Sequence, residues 1–293
     1  MTLFSSPTHW TCASALLSCI VSYAALVASP SAIQQRDAAA VAPFKIVGNI
    51  YYVGTTDPTA FLITTNAGHI LIDTTYEQTA PIVADSIRRL GFKLEDVRFI
   101  LSSHAHFDHV AGHAMMKKLT GARVVATAED AINLESGGEK AFHYTGLFPK
   151  VAVDKRLKDG ETVRLGNTTL TAHLLPGHTE GNTAWTTTVE ADGRTYNVLF
   201  APSMSINPGV TLVNNPKWPG VGDAYANSFA RLKAMRCDIF LAPHAHFFDL
   251  QTKRPLLEKG GTNPFVDPQG YLRFLEDLEG KFQAQLRQEK QGG

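Results

Sequence analysis

The feature that most constrains this chain is a group of histidines directly after a short apolar run. Residues 103–113 read SHAHFDHVAGH and hold four of the eleven histidines in the chain. Histidine is not a preferred core residue, and so dense a group at a surface needs a partner. The preceding residues 97–101 read as a strand. The pattern predicts a strand that carries metal-binding side chains at its carboxyl end.

Periodicity predicts two successive blocks of strands and helices. The first has strands at 47–53, 60–65 and 69–73, a helix at 76–90, strand 97–101, a helix near 110–119, strand 123–126 and a short helix near 129. The second has strands at 162–165, 168–175, 182–190 and 194–200, helix 224–235, strand 238–241 and a last helix around 271–282. No Gly/Ser linker separates the blocks, so we expect one domain from 42 to 293, with two packed sheets and helices outside.

The N-terminal segment is apolar without interruption. Residues 12–28 read CASALLSCIVSYAALVA and are followed by Ser-Pro-Ser-Ala and a polar stretch, which is typical of a secretory signal. We predict a signal peptide over 1–32 and a periplasmic or secreted mature protein; an uncleaved membrane anchor is the alternative. Cys12 and Cys19 lie in this segment, so Cys237 would be alone in the mature chain, where no intrachain disulfide could form.

Charge and composition exclude one class of partner. Lys plus Arg and Asp plus Glu number 27 each, so no basic excess favours nucleic acid. We expect a small-molecule substrate, no membrane association of the mature form, and a monomer.

The spacing of the cluster predicts two neighbouring metal ions. In an extended segment His104, His106 and Asp108 share a face, whereas His109 breaks that parity. If the chain turns into a helix at Asp108, His104 and His106 can bind one metal. Asp108 and His109 can then bind a second. Thiolates, which dominate closed structural zinc sites, are absent from these candidates, so a catalytic site is favoured.

Each zinc of a catalytic site usually takes three protein ligands and a water, so further ligands must come from elsewhere. His178 in PGHTEGN and either His244 or His246 in LAPHAHFF follow other predicted strand ends. Loops at strand ends gather into sites, which makes these histidines the candidates.

The segments HAHFDH and PGHTEGNTAW resemble the metallo-β-lactamase superfamily, as do GHILIDT at 68–74 and NPFVDPQGY at 263–271. The likeness runs along most of the mature chain and is greatest to the third subclass of secreted dizinc metallo-β-lactamases. It implies an α/β fold, a four-layer αββα sandwich, and two Zn²⁺ per chain. The implied ligands are His104, His106 and His178 for the first zinc, and Asp108, His109 and His244 for the second. His244 is preferred to His246 because it is the first histidine after the strand.

The resemblance also implies roles toward a substrate. Ser203 and Ser205 match the serine pair that this subclass uses near the substrate carboxylate, and Asp108 would be the catalytic carboxylate. Phe142 and Phe148, in a predicted mobile loop at 135–150, would close over the substrate ring.

One departure separates the candidate activities. Related thioesterases and phosphodiesterases carry a metal-bridging Asp after the strand that ends at Phe200, where this chain reads Ala-Pro-Ser. The absence favours zinc-dependent hydrolysis of the β-lactam amide bond by a metal-bound hydroxide, which confers antibiotic resistance. The alternatives are a dizinc hydrolase of a lactone or thioester and a non-catalytic zinc-binding envelope protein.

Overall fold

The computed structural model describes residues 1–2, 38–143 and 146–292. Apart from its first two residues, the predicted signal peptide at 1–32 lies outside these ranges. Within them, no helix combines the length and the apolar character needed to cross a membrane.

The first sheet contains seven strands in chain order. Its first four strands form an antiparallel meander, and the fourth to seventh are parallel. Parallel neighbours need crossover connections, which the helices supply. The strands are β1 (Phe44–Val47), β2 (Ile50–Tyr52), β3 (Phe61–Thr65), β4 (Gly68–Ile72), β5 (Val97–Leu101), β6 (Arg123–Thr127) and β7 (Lys155–Leu157). The crossover helices are α1 (Ala80–Arg89), α2 (Phe107–Val110), α3 (His113–Thr120) and α4 (Ala128–Ser136).

The second sheet contains five strands in the order β12-β11-β10-β9-β8. Its bounds are β8 (Thr162–Leu165), β9 (Thr168–Leu174), β10 (Thr183–Ala191), β11 (Arg194–Phe200) and β12 (Ile239–Leu241). Strands β8 to β11 are antiparallel neighbours, whereas β12 pairs with β11 in parallel after a helical crossover. The helices of this half are α5 (Val221–Lys233), α6 (Leu250–Glu258) and α7 (Pro268–Gly292).

Alternating side chains of the strands build the layers. In β4, Ile70 and Ile72 belong to the core cluster shared with the second sheet, and Leu71 belongs to the cluster that packs under α1. Such burial on both faces explains why all three are apolar, because successive strand residues point to opposite faces. Helices α5 and α7 cover the outer face of the second half through residues such as Phe229 and Phe282. The predicted αββα sandwich is therefore confirmed.

Most predicted elements are present, and the differences have local causes. The strand predicted at 47–53 is a hairpin of β1 and β2, because the chain turns at Gly48 with a φ of +49°. Strand β7 is three residues long with two exposed charged side chains, so it lacks an alternating pattern. Helix α6 contains Pro255 and buries only two side chains, so it lacks an apolar stripe.

Two aromatic residues of the predicted mobile loop, Phe142 and Phe148, lie in the core. Phe142 and Phe148 are 8% and 7% exposed. Gly137 and Gly138 have φ values of +69° and +88° and turn the chain after α4, and the amide of Phe148 donates to the Gly137 carbonyl at 3.1 Å. This turn directs Phe148 into the apolar cluster outside the first sheet. The expectation that both rings close over a substrate does not agree with their burial.

Candidate metal centre

Three strand ends bring the predicted ligands together. His104 and His106 follow β5, His178 follows β9 and His244 follows β12. The two sheets are joined beside this point, because the Thr183 amide of β10 donates to the carbonyl of Ser103 at 2.8 Å. Candidate ligands that are far apart in the chain thus meet at one edge of the sandwich.

The first cluster consists of three buried imidazoles. One ring nitrogen from each of His104, His106 and His178 lies within 4.8 Å of the others. Burial lowers the pKa of His104 and His106 well below the usual histidine range, and the neighbouring histidines lower it further. Burial likewise lowers the pKa of His178 to about 4. The three rings are therefore neutral at neutral pH, which is the form that binds a metal.

Hydrogen bonds orient His178 in particular. Its Nδ1 donates to the carbonyl oxygen of Ser205 at 2.7 Å, and the Tyr225 hydroxyl donates to the same oxygen at 2.8 Å. A carbonyl only accepts, so Nδ1 carries the proton and Nε2 keeps its lone pair. Within the described ranges, the buried Nε2 atoms of His104 and His106 have no hydrogen-bond partner. Unpaired buried nitrogens on converging neutral rings fit a zinc ion.

The second cluster contains one carboxylate and two imidazoles. The candidate ligand atoms of Asp108, His109 and His244 also lie within 4.8 Å of one another. The His109 Nε2 is 3.3 Å from the His244 Nε2 and 3.2 Å from an Asp108 oxygen. The His104 and His109 rings are 4.3 Å apart between centroids, so the two clusters are adjacent.

The electrostatics of this second cluster favour a cation. Burial disfavours charge on both partners, yet His109 and His244 hold the pKa of Asp108 below its usual range. Burial also opposes the charged form of His109, but Asp108 and Asp73 outweigh it and raise that pKa to about 10. The potential that stabilises a proton on His109 would equally stabilise a divalent metal in its place.

The structure brings His244 into this cluster and leaves His246 outside it. The His244 Nε2 lies 3.7 Å from an Asp108 oxygen. The His246 side chain is 67% exposed, and among the described residues its candidate ligand atom groups with Asp57 and His244 and not with Asp108 or His109. The donor set of five imidazoles and one carboxylate suits zinc, which accepts nitrogen and oxygen ligands.

The two serines differ in exposure. Ser203 is fully buried, and its hydroxyl lies 3.2 Å from that of the half-buried Ser205. Ser205 and His244 also line a cavity of about 380 Å³ that extends toward α7. Ser205 is therefore the serine that a ligand can reach, with Ser203 behind it.

Two residues that sequence reasoning did not assign hold the candidate ligands in place. The carboxylate of Asp73, which is 1% exposed, accepts from the Ser103 amide at 2.7 Å and from the Ser103 hydroxyl at 2.6 Å. It also lies 3.6 Å from the His109 Nδ1. Tyr225 supports Ser205 as described above. Asp73 lies in the quoted GHILIDT segment. Tyr225 lies in the predicted helix 224–235, where no local signal indicated its role.

His113 should make the stability of the protein depend on pH. It is fully buried, with one ring nitrogen 2.7 Å from the Thr74 hydroxyl and the other 2.9 Å from that of Ser102. Burial lowers its pKa to about 4. The unfolded chain, with an ordinary histidine pKa near 6.5, binds more protons below that pH. The contribution of His113 is therefore present above pH ~6.5 and is lost as pH falls through about 4.

We expect this loss to reach about 3 kcal/mol of unfolding free energy. Urea unfolding of the wild type and of His113→Asn, both in chelator at pH 7.5 and pH 4.5, measures it. The wild type should lose more stability on acidification than the variant, because the other buried histidines are common to both. Equal losses would show that His113 does not titrate in this way.

Comparisons with known proteins agree with this geometry. A family model described as "Metallo-beta-lactamase superfamily" matches residues 53–187. The native FEZ-1 metallo-β-lactamase of Legionella gormanii is 44% identical with a TM-score of 0.85, over 86% of this chain and 98% of that one. BJP-1, a subclass B3 metallo-β-lactamase of Bradyrhizobium japonicum, is 38% identical with a TM-score of 0.83, over 88% and 98%.

A curated relative of a different activity matches over a shorter segment. A hydroxyacylglutathione hydrolase of Cereibacter sphaeroides is 37% identical over 86 residues. That match covers 29% of this chain and 28% of the relative. The two solved structures, in contrast, align over nearly their whole length and at higher identity. With its two sheets and adjacent ligand clusters, the chain belongs to the metallo-β-lactamase superfamily.

Proposed function

We propose that this protein hydrolyses the amide bond of β-lactams with two zinc ions and thereby confers resistance to these antibiotics. The observation that carries the proposal is the pair of adjacent ligand clusters at one edge of a sandwich that aligns with nearly the whole of a metallo-β-lactamase. The first zinc is assigned to His104, His106 and His178, and the second to Asp108, His109 and His244. Zinc there would act as a Lewis acid and lower the pKa of water to about 7, so that hydroxide forms at neutral pH.

The chain's own residues bind, orient and transfer protons around that centre. Asp108 is 18% exposed, so its carboxylate reaches both the second cluster and the solvent-facing side, where it can pass a proton. The Ser205 hydroxyl can donate to a substrate carboxylate, while its carbonyl holds His178. Burial of the three imidazoles of the first cluster keeps them neutral and available as ligands.

A dizinc thioester hydrolase is the second candidate, because the curated relative with 37% identity over 86 residues is a hydroxyacylglutathione hydrolase. Residues 201–203, Ala-Pro-Ser, offer no carboxylate after β11 that could bridge two metals. This absence favours β-lactam hydrolysis over thioester hydrolysis. A non-catalytic zinc protein would need a closed site. The second cluster is open, since the side chains of Asp108 and His244 are 18% and 22% exposed.

Turnover of a chromogenic cephalosporin tests the proposal, with protein from the periplasmic fraction of expressing bacteria, where we expect the cleaved, monomeric form. We expect hydrolysis that a chelator abolishes and that zinc restores, while magnesium does not. A glutathione thioester assayed in parallel should be a poor substrate. Hydrolysis of the thioester alone would overturn the substrate assignment, and hydrolysis insensitive to the chelator would overturn the role of zinc.

A further inference from the structure

The ring of His244 is held from both sides. Its Nε2 faces the second cluster, 3.3 Å from the His109 Nε2. Its Nδ1 lies 2.9 Å from a carboxylate oxygen of Asp57. An ionised carboxylate only accepts, so Nδ1 carries the proton and the lone pair of Nε2 points toward Asp108 and His109. Asp57 therefore selects the tautomer that can bind a metal on that side.

Asp57 reaches His244 from the other sheet. It lies in the segment that joins β2 to β3, whereas His244 follows β12. The second oxygen of Asp57 accepts from the Ala245 amide at 2.7 Å. Close by, the Thr59 amide donates to the Pro243 carbonyl at 3.0 Å and the Thr59 hydroxyl to that of Ala242 at 2.8 Å. These bonds attach the segment to the backbone around His244, so the carboxylate is itself held in position.

The Asp57 oxygen that contacts the His244 Nδ1 also lies 3.8 Å from the Nδ1 of His246. The two histidines are two residues apart, and both lie near Asp57. Only His244 makes a hydrogen bond with the carboxylate, and only its other nitrogen faces Asp108. The short contact to Asp57 thus gives a physical reason for preferring His244, which strand-end position alone left as an alternative to His246.

We propose that Asp57 is a positioning residue for the second metal site: it fixes the tautomer and direction of His244 and so sets the zinc affinity of that site. The inference rests on the proposed dizinc centre. Carboxylates that hydrogen-bond a metal-binding histidine typically contribute ten- to hundredfold to metal affinity. The first cluster does not include Asp57 or His244, so its affinity should not depend on this contact.

Zinc titration of the metal-free protein against a chromophoric chelator tests this without any substrate. Asp57→Ala should lower the second stepwise affinity by about 10- to 100-fold and leave the first within about twofold. Asp57→Asn should lie between Asp57→Ala and wild type, because its one amide oxygen can accept from only one of the two N–H donors. His246→Ala is the matched control and should bind both zinc ions like the wild type. Cobalt(II) substitution should show a changed absorption spectrum only for the second ion of the Asp57 variants.

The outcomes separate this proposal from the function. An unchanged second affinity in Asp57→Ala, or an equal fall in both affinities, would refute the positioning role. A fall in His246→Ala as large as that in Asp57→Ala would assign His246 as the ligand and also refute it. If Asp57→Ala does not fold, the nearly isosteric Asp57→Asn decides by the same criteria. A wild type that binds fewer than two zinc ions would instead refute the dizinc centre itself, whatever the substrate.

Discussion

Asp108→Ala is expected to lower kcat/KM for a cephalosporin by about 10²- to 10⁴-fold, the range typical of losing a group that transfers protons. Asp108 is the only carboxylate in the second cluster, and its oxygen lies 3.2 Å from His109 and 3.7 Å from His244. Its removal takes away a candidate zinc ligand and the charge that compensates a cation there. We therefore expect zinc binding at the second site to weaken as well.

Kinetics at limiting and at saturating zinc separate the two contributions of Asp108. If Asp108 acts mainly as a zinc ligand, saturating zinc should restore part of the activity of the variant. The part of the activity that depends on proton transfer by Asp108 should not return. Asp85→Ala is the matched control, because it removes the same charge from an exposed position on α1. Activity of Asp108→Ala that equals the wild type at limiting zinc would contradict the assignment.

Trp185→Ala is expected to lower the free energy of unfolding by about 3–5 kcal/mol, the usual cost of truncating a large buried aromatic residue. Trp185 lies on β10, is fully buried, and belongs to the core between the sheets. Its indole Nε1 donates to the Ser102 carbonyl at 2.9 Å. The variant would leave both a cavity and a buried carbonyl without this donor.

Urea unfolding with zinc and with chelator measures this effect, and Trp185→Phe is the comparison that retains most of the ring volume. The phenylalanine variant should lose less stability than the alanine variant. Because Ser102 lies two residues before His104, we also expect the alanine variant to bind zinc more weakly. A loss below about 1 kcal/mol in Trp185→Ala would show that the sheets repack without the ring.

Periodicity and motif spacing predicted most of the fold. Strand β5 has the predicted bounds, Val97–Leu101, and the last helix was located by its apolar stripe. These patterns are local, since burial of alternate or of every third and fourth residue is visible within one segment. Short or charged elements such as β7 gave no such signal.

The proximity of four candidate ligands was also predictable, because they lie within one short segment. His104, His106, Asp108 and His109 fall within six residues, and a strand that turns into a helix places them together. The structure adds His178 to the first group and His244 to the second, as their positions after strand ends indicated. Their roles as zinc ligands remain predictions that the titration above tests.

The sequence by itself determined the layered fold, the family and the motif around which the candidate centre forms, because each depends on spacing within short segments. Only the tertiary structure gave a physical reason for the preference of His244 over His246, buried Phe142 and Phe148, and left Ser205 rather than Ser203 within reach. Those outcomes depend on contacts between distant segments, such as the 2.9 Å contact between Asp57 and His244, which are 187 residues apart in the chain. Packing of the two sheets against each other creates such contacts, and no local pattern encodes them.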